Sequence, residues 1–230
     1  MKIYKYINIT DNSFENFKNG ELYFNNPSKF KDINDSNLKI KEIEFNTFLK
    51  KSIEYINEIP KEKLEKMEPP KGYYEMLNKS KSKGFLERFN EFKNNFVGVT
   101  CFSESDDIEK MWKDYASENS GFCICFETNY DIDYFNGLTK IKYVEELPIV
   151  DLKSENFENG LHEFYTTKLS KDYFFEEEQR LIKKNLGLFK YKKECVEEII
   201  LGNKMSKPTK KKIINILKEN YFSDVFVTQN

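Results

Sequence analysis

The stretch KDYFFEEEQRLIKK, Lys171 to Lys184, poses the fold problem. Its second half, EEEQRLIK, reads as a strand whose pleat carries Glu176, Glu178 and Arg180 to one face and leaves Glu177 and Gln179 on the other. The chain takes nearly all of its positive charge from lysine and has only two arginines, so a guanidinium behind three glutamates must have a local use. Two uses stand open. Neighbouring carboxylates raise each other's pKa and an adjacent arginine lowers both, so the row can hold charge ready for a substrate. It can equally satisfy itself as an ion-pair ladder on a sheet.

Working outward, KIYKYI alternates as a strand, TDNSFENFKNG follows as a capped helix with Gly20 beyond its end, and ELYFNNPSKF is a strand closed by an Asn-Pro turn. FVGVTCFSES is a buried strand running into a polar turn. SDDIEKMWKDYASENS is a helix with Ser105 or Asp106 as N-cap, Ile108, Met111, Trp112 and Tyr115 on one face, and Gly121 past its end. GFCICFET and LTKIKYVE are further strands. A helix over about Asn156–Leu169, the strand VEEIILG, a helix over about Ser206–Asn220 and a last strand DVFVT complete the pattern. Between Lys39 and Asn95 the chain turns to lysine- and glutamate-rich amphipathic segments broken by Pro60 and EPPKG, which reads as a helical insertion or lid. Strands and helices interleave without the regular spacing of parallel crossover units. The expectation is therefore a single α+β domain over residues 1–230, with a mixed, mostly antiparallel sheet.

The 230 residues suffice for one well-buried core, and 21 Phe with 14 Tyr make it a core of rings. Thirty-seven basic against 39 acidic residues leave no global field to attract nucleic acid or an anionic membrane. No run of about 18 apolar residues and no leader-like N-terminus occurs, so a cytoplasmic protein with no membrane segment is expected. Four cysteines (Cys101, Cys123, Cys125, Cys195) and one histidine, His162, form no zinc-type cluster, and no metal is expected.

Ser103 lies just past a buried strand, where a hydroxyl can meet a polar ligand group or serve the following helix as a cap. Without a nucleophile elbow or a nearby histidine it is not the serine of a hydrolase triad. Trp112 sits on an apolar helix face, where core packing is its plainest use. His162 falls in a polar helix as a surface residue.

YKY, LYFNNPSKFKDINDS, VTCFSES, MWKDYASENSGFCICFE, IKYVE, TKLSKDYFFEEEQRLI and IILG together resemble, in that order and over almost the whole chain, the bacterial DUF2971 family. Met111, Trp112, Tyr115, Ala116, Gly121, Lys168, Glu176, Glu178 and Arg180 carry the likeness. The chain departs from that pattern at Ile7, where arginine is usual, at Lys31 and Ile33, and at Tyr173, where tryptophan is usual. FFEEEQRLI is in turn similar to the Glu-x-Glu strand of mono-ADP-ribosyltransferases. This second resemblance implies an ADP-ribosyltransferase-like fold that uses NAD, with a protein or small-molecule acceptor and a role in bacterial stress or phage defence. It implies Glu178 and Glu176 as catalytic carboxylates, with Ser103, Lys5, Tyr6, Arg180 and Trp112 around the NAD. The competing expectation is a non-enzymatic interaction module in which the Glu and Arg row is structural and the Lys39–Asn95 segment faces a partner.

Overall fold

The computed structural model describes residues 1–32, 34–36, 38–39, 87, 91, 94–150, 157–221 and 225–230, without the side chains of 157–161. Nearly all of the insertion expected at Lys39–Asn95 lies outside these residues. The described chain is α+β, as its irregular interleaving requires. Its strands are β1 (Lys2–Ile7), β2 (Glu21–Phe24), β3 (Val97–Ser103), β4 (Phe122–Glu127), β5 (Thr139–Lys140), β6 (Lys142–Val144), β7 (Thr167–Leu169), β8 (Glu178–Lys184), β9 (Gly187–Lys190), β10 (Val196–Leu201) and β11 (Phe226–Gln229). Its helices are α1 (Asp11–Asn19), α2 (Glu109–Tyr115), α3 (Ile132–Phe135), α4 (Phe157–Thr166), α5 (Ser170–Tyr173) and α6 (Lys207–Asn220).

Seven strands form the main sheet in the order β11-β10-β4-β1-β3-β8-β5, antiparallel throughout except for the parallel β10/β11 pair. The N-terminal strand is thus central. Both faces are covered, so the middle strands are apolar on both sides. On one face Ile3, Phe122, Ile124, Phe126, Ile199 and Leu201 pack under α1 and α6 through Phe14, Phe17, Ile213, Ile216 and Leu217. On the other, Tyr6, Cys123 and Ile200 meet Met111 and Trp112 of α2 and Ala116 just past its end. Farther along that second face, Val97 and Val99 pack with Phe164 and Tyr165 of α4.

Local chemistry explains the ends of α1. Thr10 accepts from the Ser13 N–H while the Ser13 hydroxyl accepts from the Thr10 N–H, and Gly20 closes the helix in the left-handed region at φ 71°. Three expectations are corrected. The N-cap of α2 is Ile108, with no side-chain hydrogen bond, in place of Ser105 or Asp106. The stretch LTKIKYVE is two short strands with different partners, β5 on β8 and β6 parallel to β7. The helix foreseen to Leu169 stops at Thr166, where β7 begins.

The edge of β3 that faces β1 is forked. Ser103 pairs with Tyr4, whereas Val99 exchanges both backbone hydrogen bonds with Asn25, just past β2. Between these two pairings the Cys101 carbonyl accepts instead from Lys5 Nζ at 2.7 Å. Departure of β1 from β3 at this point opens the sheet and leaves room for a cleft.

Candidate active site

Glu178 opens β8 opposite Ser103, and Arg180 follows opposite Cys101, so both point to the α2 face as the pleat requires. Glu176 reaches the same place by another route. It ends a 3-10 turn over Phe174–Glu176, and Glu177 reverses the chain in the left-handed region at φ 45° before β8 starts. The strand expected from Glu176 therefore begins two residues later, and a turn delivers what the pleat was expected to deliver.

Arg180 is fully buried. Its fork engages Asp35 through Nη1 and Nη2 (2.7 and 2.5 Å), Glu178 through Nε and Nη2 (2.6 and 3.1 Å), and the Tyr165 carbonyl (2.9 Å). A planar guanidinium suits this bidentate work where a lysine could not. The second cation is Lys168 of β7, whose Nζ lies 2.5 Å from Glu176 Oε2, 3.1 Å from Glu178 Oε2 and 3.7 Å from Asp35 Oδ2. The Tyr173 ring covers that ammonium at 4.2 Å. Three carboxylates and two cations thus close on one another in a space of low exposure.

The pKa values of the two glutamates are moved in opposite directions. Burial disfavours the Glu178 carboxylate, but Arg180 and Lys168 outweigh it and bring its pKa down to about 2. For Glu176, burial prevails over Lys168, and the charge of Glu178 adds to it, so its pKa is raised. Its oxygens are nonetheless fixed, Oε2 by Lys168 and Oε1 by the Tyr115 hydroxyl at 2.6 Å. Burial, followed by the Glu176 charge, pushes the Tyr115 phenol well above its usual range, so it stays a donor. Ser103 spends its hydroxyl proton on the Glu176 backbone carbonyl (2.8 Å) and accepts from the Ser105 N–H (3.2 Å), pinning the turn to β3.

Above this network lies a cleft of about 360 Å³, within the size range of small-molecule sites. Tyr4, Tyr6, Ser103, Tyr115, Tyr173, Glu176 and Glu178 line it, with Lys5 in the fork and Lys29 and Lys31 exposed at its rim. Of the residues singled out in the sequence, Glu176, Glu178, Ser103, Lys5 and Tyr6 share this cleft. Arg180 lies beneath it, saturated by carboxylates, and does not line it. Trp112 stands apart, wholly buried, with its ring edge-on to Tyr6 and its indole N–H given to the Asp106 carbonyl at 2.6 Å. Tyr6 donates its own hydroxyl to the Ser105 carbonyl.

Sequence reading missed Asp35, 145 residues from its partner Arg180. It also missed the hydroxyl of Tyr115 and that of Tyr143, which accepts the Glu178 N–H at 3.0 Å. The acidic turn KDINDS was the available signal for Asp35, since a fully buried arginine needs a carboxylate from elsewhere. Among the described residues no cluster of His, Cys, Asp and Glu could hold a metal ion. Nor, among them, is any helix long and apolar enough to cross a membrane.

Fold and site together define an α+β protein with a concave, ring-walled site above a buried ion network. No family model, curated protein or solved structure matches the chain.

Proposed function

We propose that the cleft binds a nucleotide such as NAD and transfers or hydrolyses its glycosyl group, in the manner of an ADP-ribosyltransferase-like enzyme. The observation that carries this reading is the convergence of Glu176, Glu178 and Ser103 on one cleft walled by tyrosines. Breaking the bond between nicotinamide and ribose sends the electron pair out with nicotinamide and leaves positive charge on the sugar. Glu178, ionised at any physiological pH, is the group suited to stabilise that charge through a ribose hydroxyl. Glu176, with its raised pKa, is the group suited to take the proton of the attacking water or acceptor. Tyrosine faces offer stacking surfaces for the bases, and the rim lysines Lys29 and Lys31 offer charge for the phosphates.

Calorimetric titration with NAD and chromatographic assay of released nicotinamide test the reading. Glu176→Gln is the informative variant: its amide must face the Lys168 ammonium or the Tyr115 hydroxyl, both donors, so it should lower the melting temperature while circular dichroism shows a folded chain, and lose turnover. Neither heat nor nicotinamide at millimolar NAD would sink the proposal. One observation favours a second reading, a binding module without chemistry: both network cations are consumed by carboxylates of the chain itself. A stoichiometric partner retained by Glu176→Gln would support that alternative.

A further inference from the structure

We propose that Lys5 is a reactive amine that forms an imine with a small carbonyl compound bearing an anionic group. The ADP-ribosyltransferase resemblance implies Lys5 only as a charge beside the NAD, so a covalent role for its amine stands apart from that reading.

Lys5 differs from the other cations of the site in its surroundings. Lys168 touches three carboxylates and Arg180 two, whereas Lys5 Nζ, among the described residues, has no carboxylate within ion-pairing distance. Its hydrogen-bond partner is a neutral carbonyl, that of Cys101, and the Phe102 ring lies 5.7 Å from it. The cause is the fork. Lys5 alternates with Tyr4 and Tyr6, so its side chain leaves β1 on the α1 face and turns into the opening between β1 and β3. There it borders both the 360 Å³ cleft and a smaller pocket of about 130 Å³ beneath α1.

A half-buried ammonium whose hydrogen bond goes to a neutral carbonyl recovers only part of the hydration it loses, which favours the neutral amine. The Lys5 pKa is accordingly lowered by burial, against smaller upward pulls from Cys101, Glu178 and Cys123 of β3, β8 and β4. Neutral amine adds to a carbonyl carbon, a carbon–nitrogen double bond forms, and the carbonyl oxygen leaves as water. No oxidant or reductant is needed. The same cleft supplies ring faces for a flat ligand and, at its rim, Lys29 and Lys31 for a phosphate or carboxylate.

Pyridoxal 5′-phosphate combines an aldehyde, a flat ring and a phosphate, and serves as the probe. The full chain is treated near pH 7 with less than one equivalent, reduced with borohydride and mapped by peptide mass spectrometry. Lys5 should carry at least ten times the label of any other lysine, with a labelling midpoint below that of ordinary lysines. Lys5→Gln is uncharged like the neutral amine and keeps an N–H donor but forms no imine, and should lose that label while its circular dichroism and melting curve stay close to wild type. Should Lys5→Gln fold poorly, labelling of the wild-type chain after pre-incubation with excess inorganic phosphate decides, and Lys5 should be protected at least threefold. Label spread over surface lysines according to their exposure, or an unlabelled Lys5, overturns the proposal. Either result leaves the nicotinamide-release assay untouched, so the two readings fail separately.

Discussion

Replacing Arg180 with methionine, which retains length and removes charge, should destabilise the fold in a way that depends on pH. The guanidinium satisfies both oxygens of Asp35 and both of Glu178, and these side chains are only 2 and 4% exposed. After its removal the cation left facing Glu178 and Asp35, among the described residues, is Lys168, at 3.1 and 3.7 Å, and it already serves Glu176. Stranding one member of a buried ion pair costs about 3–5 kcal/mol. Two stranded carboxylates, partly relieved by Lys168, place Arg180→Met near the middle of that range, about 4 kcal/mol. With a urea dependence of about 2–3 kcal/mol per molar, the unfolding midpoint at pH 7 should fall by about 1.5 M.

The pH dependence follows from the state of Glu178. In the wild type its pKa of about 2 lies below the unfolded value, so the folded state binds fewer protons. That stability is complete above about pH 5 and is lost as pH falls toward 2. In the variant the depressing guanidinium is gone, burial acts in the opposite direction, and this loss is absent. The gap between the two urea midpoints should therefore narrow steadily from pH 5 to pH 3. A midpoint within about 0.3 M of wild type at pH 7, or a gap of constant size down to pH 3, would refute the network as the source of stability.

Two further substitutions probe the fold away from the site. A methyl group at Gly202 would lie 2.2 Å from the Asn119 carbonyl oxygen and 2.9 Å from that of Gly121, so Gly202→Ala must push backbone apart. It should cost about 2–3 kcal/mol and lower the melting temperature by roughly 5–10 °C in thermal circular dichroism. Thr10→Ala removes the side-chain acceptor for the Ser13 N–H and should cost about 1 kcal/mol in urea titration, and an unchanged midpoint would contradict the capped helix start.

The site was legible in the sequence where neighbours along the chain fix the geometry. Glu178 and Arg180 lie two residues apart on β8, and the period of the pleat alone places both on one face. Ser103 is aligned with Glu178 because β3 and β8 are long and paired in register. Legibility ended where tertiary demands set the backbone. The positive φ of Glu177 moves Glu176 off the strand, a conformation that costs a non-glycine residue energy and that no local pattern announces. Arg180 read as a ligand anchor because its charge was visible and Asp35, far away in sequence, was not. Trp112 reads first as core, and as a cofactor wall only through the resemblance; it is wholly buried, with its indole N–H on the Asp106 carbonyl. The fork of β3 between Tyr4 and Asn25, which creates the cleft, depends on three segments meeting and had no signature of its own.

The central place of β1 has a consequence for biosynthesis. Its neighbours on the two sides are Ser103 and the run from Phe122 to Glu127, about a hundred residues downstream. β1 therefore waits, with Ile3 and Tyr6 uncovered, until the chain out to Glu127 has left the ribosome. Pairings of such separation make maturation slow. During that interval a nascent chain offers chaperones, and other unfinished copies, a bare edge of the future core.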